Sequence, residues 1–207
     1  MPAVKEVEIF EAAARIFKQK GYHATSMQDI ADAVGLQKGS LYHYLSSKED
    51  LLFRISERAI EAINARLADI RDTPVAPAEK LRAAIENHVQ VLASNLDLLA
   101  VFLQEGHRLT REQQARLFQE RQRYEDIFAD ILQEGIAAGQ FRRLDVRVAS
   151  YGILGMINWM HQWYQTSGRL SPSEIADLFV DLVLNGLRAP ATPRLFTAEA
   201  EKAQRET

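Results

Sequence analysis

The sequence predicts an all-α protein, and three observations carry that expectation. From Pro77 to Leu187 apolar residues recur at helical spacing, and no alternating run bounded by turns interrupts them. Glycines and N-capping residues stand where those periodic runs stop and start. Over 207 residues, 47% hydrophobic and 26% charged positions provide for a substantial buried core and argue against disorder.

Nine helices follow in order. The first runs from about Val4 to Lys20, with Ile9, Ala13, Ile16 and Phe17 on one face and Gly21 closing it. Thr25 and Ser26 are N-cap types, and Gln28 and Asp29 stand three residues after them, so a capping box can open the second. Its apolar face holds Met27, Ile30, Ala31 and Val34; Gly35 supplies the stop and Leu36 packs back across it. The third runs from about Lys38 to Leu45, held by Leu41, Leu45 and Tyr44. Ser46 or Ser47, with Glu49 or Asp50 as box partner, opens a fourth that continues through Leu51, Leu52, Ile55, Ala59, Ile60 and Ile63 to about Ile70. Two prolines in Arg71–Pro77 break the chain.

The fifth helix spans Ala78 to Ser94, with Leu81, Ile85, His88, Val89 and Leu92 inward, and the sixth Asp97 to Glu105, ending near Gly106. Thr110 with Gln113 caps a long seventh that stops at Gly139. The eighth follows Asp145. Ser171, Pro172 and Glu174 give the ninth a cap, a first-turn proline and a box partner, and it reaches Leu187.

The second and third helices, joined by a short glycine-containing turn, form a helix-turn-helix, whose second helix enters the DNA major groove. Between Gln37 and Lys48 there is no acid, while Lys38, Ser40, Tyr42, His43 and Lys48 offer donors. Gly39 has no side chain to hold a backbone away, and the positive end of the helix points at whatever lies there. At Lys48 a cation opposes the helix dipole, which points to an outside anion.

In KQKGYHATSM, AVGLQKGSLYHYL and SSKEDLL the chain resembles the TetR family of transcriptional regulators in order and spacing over roughly its first 55 residues. The resemblance implies a TetR-like fold, with residues 1–50 as the DNA-binding head, 51–187 as a ligand-binding and dimerisation body and 188–207 as a tail. It implies that Thr25 and Ser26 contact phosphate, that Gln37, Lys38 and Ser40 lie in the major groove, and that Tyr42, His43 and Lys48 clamp the backbone. Gln37 departs from the small capping residue of many relatives, and a glutamine can read adenine bidentately.

Charge sets a condition on this reading. The net charge is −3, and the first fifty residues hold six Lys or Arg against seven Asp or Glu, so positive charge must be local to the third helix. Few phosphate contacts per subunit are expected. The absence of cysteine excludes disulfides, thiol catalysis and thiolate zinc. No metal or cofactor is expected, and no catalytic motif for an enzyme appears. MPAVKEVEIFEAAARIF has acids and no long apolar run, so it is not a signal peptide, and a cytoplasmic location follows by default.

Val148 to Gly168 has no Lys, Arg, Asp or Glu, and a helix there is expected to be buried on all sides; its Asn, His, Gln and Gly residues disfavour a membrane span. With the ninth helix it has too many apolar faces for one subunit, which points to a homodimer built on Gly152, Gly155, Phe179, Leu182 and Val183. TetR-like proteins are similar in dimerising through their last two long helices. Two heads must then reach successive grooves roughly 34 Å apart on an inverted-repeat operator in double-stranded DNA.

Aromatic residues with polar neighbours in the body point to a small-molecule site. VFLQEGHRLT, RQRYEDIFADILQEGIAAGQFR and ILGMINWMHQWYQTSGRLSPSEIADLF resemble TetR-like regulators that respond to acyl-coenzyme A thioesters. That implies an acyl tunnel near Phe102, Tyr124, Phe128, Met156, Trp159 and Trp163, with Arg108, Arg111 and Arg121 meeting phosphates. Surface pairing, such as Glu112 with Arg116, is the alternative for such arginines. The alternative effector is a lipophilic cation of drug efflux, held by Glu105 and the aromatics.

Overall fold

The computed structural model describes residues 4–188. Its elements are α1 (Val4–Lys20), α2 (Met27–Ala33), α3 (Lys38–Leu41), α4 (Lys48–Asn64), α5 (Leu67–Asp72), α6 (Pro77–Ser94), α7 (Leu96–Glu105), a 3-10 turn (Gly106–Arg108), α8 (Arg111–Ala137), α9 (Val146–Asn158), α10 (Met160–Trp163) and α11 (Pro172–Leu187). Among the described residues the one departure from helix pairing is an isolated antiparallel bridge between Phe141 and Arg188. Since α5 resumes α4 after Ala65 and Arg66, and α10 resumes α9 after Trp159, these segments make nine helical bodies. The tail expected from residue 188 lies outside the described residues beyond Arg188.

Local chemistry sets most boundaries. Ser26 accepts from the Asp29 amide while Asp29 accepts from the Ser26 amide, closing the box that starts α2. Thr110 with Gln113, and Ser171 with Glu174, close the same reciprocal pair at α8 and α11. Ser47, rather than Ser46, caps α4 by accepting from the Asp50 amide. The α2 stop is set by Gly35 at φ +67°, and the Leu36 amide returns to the Ala31 carbonyl at 2.9 Å.

Two helices differ from their expected lengths. α3 stops at Leu41 rather than Leu45, and the chain continues in tighter turns, with the His43 amide on the Ser40 carbonyl at 3.2 Å and Tyr44 on Leu41 at 3.0 Å. The turns still bury Leu45 beside Leu41. The fourth helix breaks at Ala65 and Arg66, which redirects the chain so that α5 lies against α6 and α8 and buries Leu67.

In the core, α6 is surrounded by α11, α8, α5, α4 and α9. Its Leu81, Ile85, Val89 and Leu92 are fully buried; each such side chain stabilises by about 1.5–3 kcal/mol relative to exposure. Lys80 ties α6 to Glu134 of α8 at 2.8 Å. α8 closes against Phe141, whose ring sits so tightly on Gly135 that an added Cβ would lie 2.1 Å from it. The Arg142 amide then bonds the Leu187 carbonyl at 2.8 Å, fastening the end of α11 to this corner.

The α9 segment is not buried on all sides, as its composition predicted. Val148, Tyr151 and Trp159 face outward, as do Leu178 and Leu182 of α11, because α9 packs on α8 and α6 while α11 packs on α6. No described helix is long and apolar enough to cross a membrane.

Candidate DNA-reading head and body cavity

The head is braced by contacts that its sequence did not announce. Tyr22 is buried between α1 and α2, edge-on to Phe17 at 5.1 Å between ring centroids. Burial first, and the nearby Glu49 carboxylate second, push its hydroxyl up to about 12. Lys48 sits 4.6 Å over the Tyr22 ring and donates to the carbonyls of Tyr22 at 3.0 Å and Thr25 at 2.9 Å. Its charge therefore closes the α1–α2 loop from within. This corrects the assignment of Lys48 to the DNA backbone, since its ammonium is already committed. Thr25 needs the same correction: it is 1% exposed, and its hydroxyl donates to the Gly21 carbonyl at 2.8 Å.

The remaining head residues stand outward. Gln37, Lys38, Gly39, Tyr42 and His43 are exposed and Ser40 is half-buried. Gln37 occupies the N-cap position of α3 but makes no side-chain cap bond, so its amide is free to read a neighbour. A Cβ added at Gly39 would meet nothing within 4 Å, which leaves the approach to the backbone open. Ser26 is exposed as well, with its hydroxyl donating to Asp29 at 2.7 Å. Asp29 is engaged by Lys20 and Ser26, which hold its carboxyl well below the usual carboxylate range. Glu6 and Asp50 are paired with Arg54. Lys5 donates to the Val34 carbonyl at 2.7 Å, fixing α1 to the end of α2.

In the body, a cavity of about 190 Å³ opens between α4, α7, α8 and α9. Its apolar wall is Ile60, Ile63, Leu99, Phe102, Leu103 and Leu154; its polar wall is Asn64, Arg121, Tyr124, Glu125, Tyr151 and Asn158. Behind it, the Tyr124 hydroxyl hydrogen-bonds His88, a histidine with no solvent exposure. Burial pushes the His88 imidazole down to about 3, against a smaller upward pull from Asn158, so the ring is neutral. Burial, followed by the Glu125 charge, raises the Tyr124 hydroxyl well above its ordinary value.

Of the residues expected to hold a ligand, Phe102, Arg121 and Tyr124 meet at this cavity. Phe128 stands behind it, fully buried and edge-on to Tyr124 at 5.4 Å. The others do not converge. Trp159 is 62% exposed, Trp163 also faces outward, and Met156 lines a different groove, because the core-facing side of α9 is taken by Ile153, Leu154 and Ile157. Glu105 is bound by Arg108, which also contacts His23 Nε2 of the head at 2.6 Å. Arg111 is exposed at the first position of α8. Arg121 makes the i,i+4 pair with Glu125 at 2.7 Å, while Arg116 reaches Glu57 of α4 rather than Glu112.

Sequence reasoning missed Asn64, Tyr151 and Asn158. The available signal was a polar residue in the apolar register: Asn64 follows Ile60 by four, and Asn158 follows Tyr151 by seven, each pair on one helix face.

Among the residues expected at a dimer interface, Gly152, Leu182 and Val183 line an apolar groove of about 490 Å³ together with Val148, Ile153 and Met156. Phe179 packs partly buried against the core, and Gly155 lies at the cavity.

A short exposed helix on a braced three-helix head, joined through one long helix to an all-helical body with a cavity between its helices, defines a helix-turn-helix regulator. The chain belongs to the TetR family and is a DNA-binding transcriptional repressor of that type. Residues 9–55 match the family described as "Bacterial regulatory proteins, tetR family", and residues 74–187 match "Tetracyclin repressor-like, C-terminal domain". The chain is similar to the HTH-type transcriptional repressor KstR2 of Mycolicibacterium smegmatis, 31% identical over 90% of this chain and 92% of that one. Among solved structures it is similar to the regulator PfmR of Thermus thermophilus, at 36% identity and TM-score 0.82 over 87% of this chain and 99% of that one. It is also similar to AibR in complex with isovaleryl coenzyme A and operator DNA, at 30% identity and TM-score 0.78, covering 86% of this chain and 97% of that one.

Proposed function

We propose that the protein is a cytoplasmic, homodimeric repressor that binds an inverted-repeat operator and is released when an acyl-coenzyme A thioester enters the body cavity. The observation that carries this reading is the position of α4. Its first residue, Lys48, closes the head from within, and its last turn supplies Ile60, Ile63 and Asn64 to the cavity wall. A ligand pressing on that wall acts on the helix that aims the head, so ligand and operator affinity are linked.

Specific reading falls to Gln37, Lys38 and Ser40, with Gly39 giving close approach, Ser26 at the start of α2, and Tyr42 and His43 beside the backbone. A second copy covers the groove between α9 and α11, burying Val148 and Leu182. Support for a thioester comes from the likeness to AibR, which was solved with isovaleryl coenzyme A. A lipophilic cation has less support, because Glu105 is already paired with Arg108 away from the cavity lining.

Isothermal titration of isovaleryl coenzyme A into the protein, with and without its operator, tests the reading. The operator is first located by footprinting DNA beside the protein's own gene. Operator should weaken thioester binding by about 5-fold to 150-fold. Equal affinities would reject the coupling.

A further inference from the structure

Resting on the coupling proposed above, we infer that Arg108 is a positioning residue that ties the head to the cavity wall through His23, and that this tie belongs to the operator-binding conformation. Arg108 neither lines the cavity nor lies on α3. It joins the elements that do each job.

The path runs through α7. Leu99, Phe102 and Leu103 of that helix line the cavity. A Cβ added at Gly106 would lie 3.5 Å from the Phe102 ring, so the ring is in van der Waals range of the 3-10 turn Gly106–Arg108. From the last residue of that turn, Arg108 Nη1 reaches His23 Nε2 at 2.6 Å, while its Nε pairs with Glu105. A guanidinium has only donors, so the His23 nitrogen is the acceptor. His23 in turn stands edge-on to Tyr22, at 5.7 Å between ring centroids, and the Tyr22 carbonyl takes Lys48. One guanidinium therefore spans from the last turn of a cavity helix to the loop that Lys48 closes.

A second contact gives the arrangement a direction. At the start of α7, Asp97 pairs with Lys18 of α1 at 2.9 Å. With α7 held on α1 at that end, a ligand that displaces the Phe102 ring moves the other end, where Arg108 stands. Filling the cavity then works against the tie. Removing the tie by mutation should accordingly shift two affinities in opposite senses, weaker for operator and tighter for ligand. A contact that only supported the fold would not do both.

Fluorescence anisotropy on operator DNA and calorimetry with isovaleryl-coenzyme A, both on the full-length protein, test this. Arg108→Ala should bind operator about fivefold more weakly, in the range of one partly exposed contact to a charged group. Its salt slope should not change, because no phosphate contact is lost. The same variant should bind isovaleryl-coenzyme A more tightly, by up to about fivefold. His23→Ala should reproduce both shifts, the double variant should add nothing to either, and His23→Gln, which retains an acceptor, should stay near wild type. His23 is exposed, so its variants also serve if Arg108→Ala does not fold. Unchanged operator affinity in the alanine variants, or losses that sum in the double variant, would overturn the tie. Where the wild-type protein binds the thioester, weaker operator binding without tighter thioester binding overturns the positioning role. If the wild-type protein binds no isovaleryl-coenzyme A, the thioester reading fails, and operator affinity across the four variants decides the tie by itself.

Discussion

The head and the body of this repressor place their working residues in opposite ways. In the head, residues 37–43 form one continuous stretch, and tertiary structure only has to hold it outward. The body cavity takes its wall from α4, α7, α8 and α9, no two of whose contributions can be inferred from each other along the chain. The comparison teaches that a contiguous reading surface survives small errors in helix length, as when α3 stops four residues early. A cavity does not, because a rotation of about 100° about the helix axis, one residue's worth, decides whether Trp159 or Asn158 faces inward.

Substitutions sharpen that contrast, beginning with the largest effect. Phe128→Ala removes a fully buried ring next to the cavity and should cost about 3–5 kcal/mol of stability, read by denaturant unfolding. A loss below about 1 kcal/mol would mean that the body core is more plastic than its packing indicates.

Acid should act next, and on the body. The His88 imidazole is pushed down from 6.5 to about 3 by burial, so the unfolded chain binds a proton more readily than the folded one between those values. Stability from this group is therefore present above pH 6.5 and lost as pH falls toward 3. Melting temperature should drop on going from about pH 7 to about pH 5, and His88→Phe should reduce the drop. An unchanged pH profile in that variant would remove His88 from the account.

Within the head, Gln37 and Lys48 should separate. Gln37→Ala should weaken operator binding by about 1–3 kcal/mol and relax the preferred sequence, with stability within about 0.5 kcal/mol. Lys48→Met should lower the melting temperature, because the Tyr22 and Thr25 carbonyls lose their donor. If Lys48→Met kept its stability while losing operator affinity, the phosphate-clamp assignment would return. The smallest effect belongs to the cap. Ser26→Ala should cost about 1 kcal/mol through fraying of α2, visible as faster amide exchange at Met27 to Asp29.

Much of the architecture was legible because its signals are local. The capping boxes at Ser26, Thr110 and Ser171, the stops at Gly21, Gly35 and Gly139, and the inward row Leu81, Ile85, His88, Val89 and Leu92 each depend on residues within a few positions of one another. The candidate site was legible in part: Phe102, Arg121 and Tyr124 converge, while Met156, Trp159 and Trp163 do not. The same aromatic composition fits a cavity or an outward apolar face, so composition could not separate them.

By itself the sequence determined that this protein is helical throughout its body, where most of its helices begin and end, and that an acid-free reading helix follows Gly35. Capping and periodicity are short-range chemistry, written in consecutive residues. Tertiary structure alone decided that Lys48 and Thr25 turn inward, that α4 bends after Asn64, and which polar side chains enclose the cavity. Those outcomes depend on which carbonyls, rings and helices come to lie opposite one another, and residues far apart in the chain set that jointly.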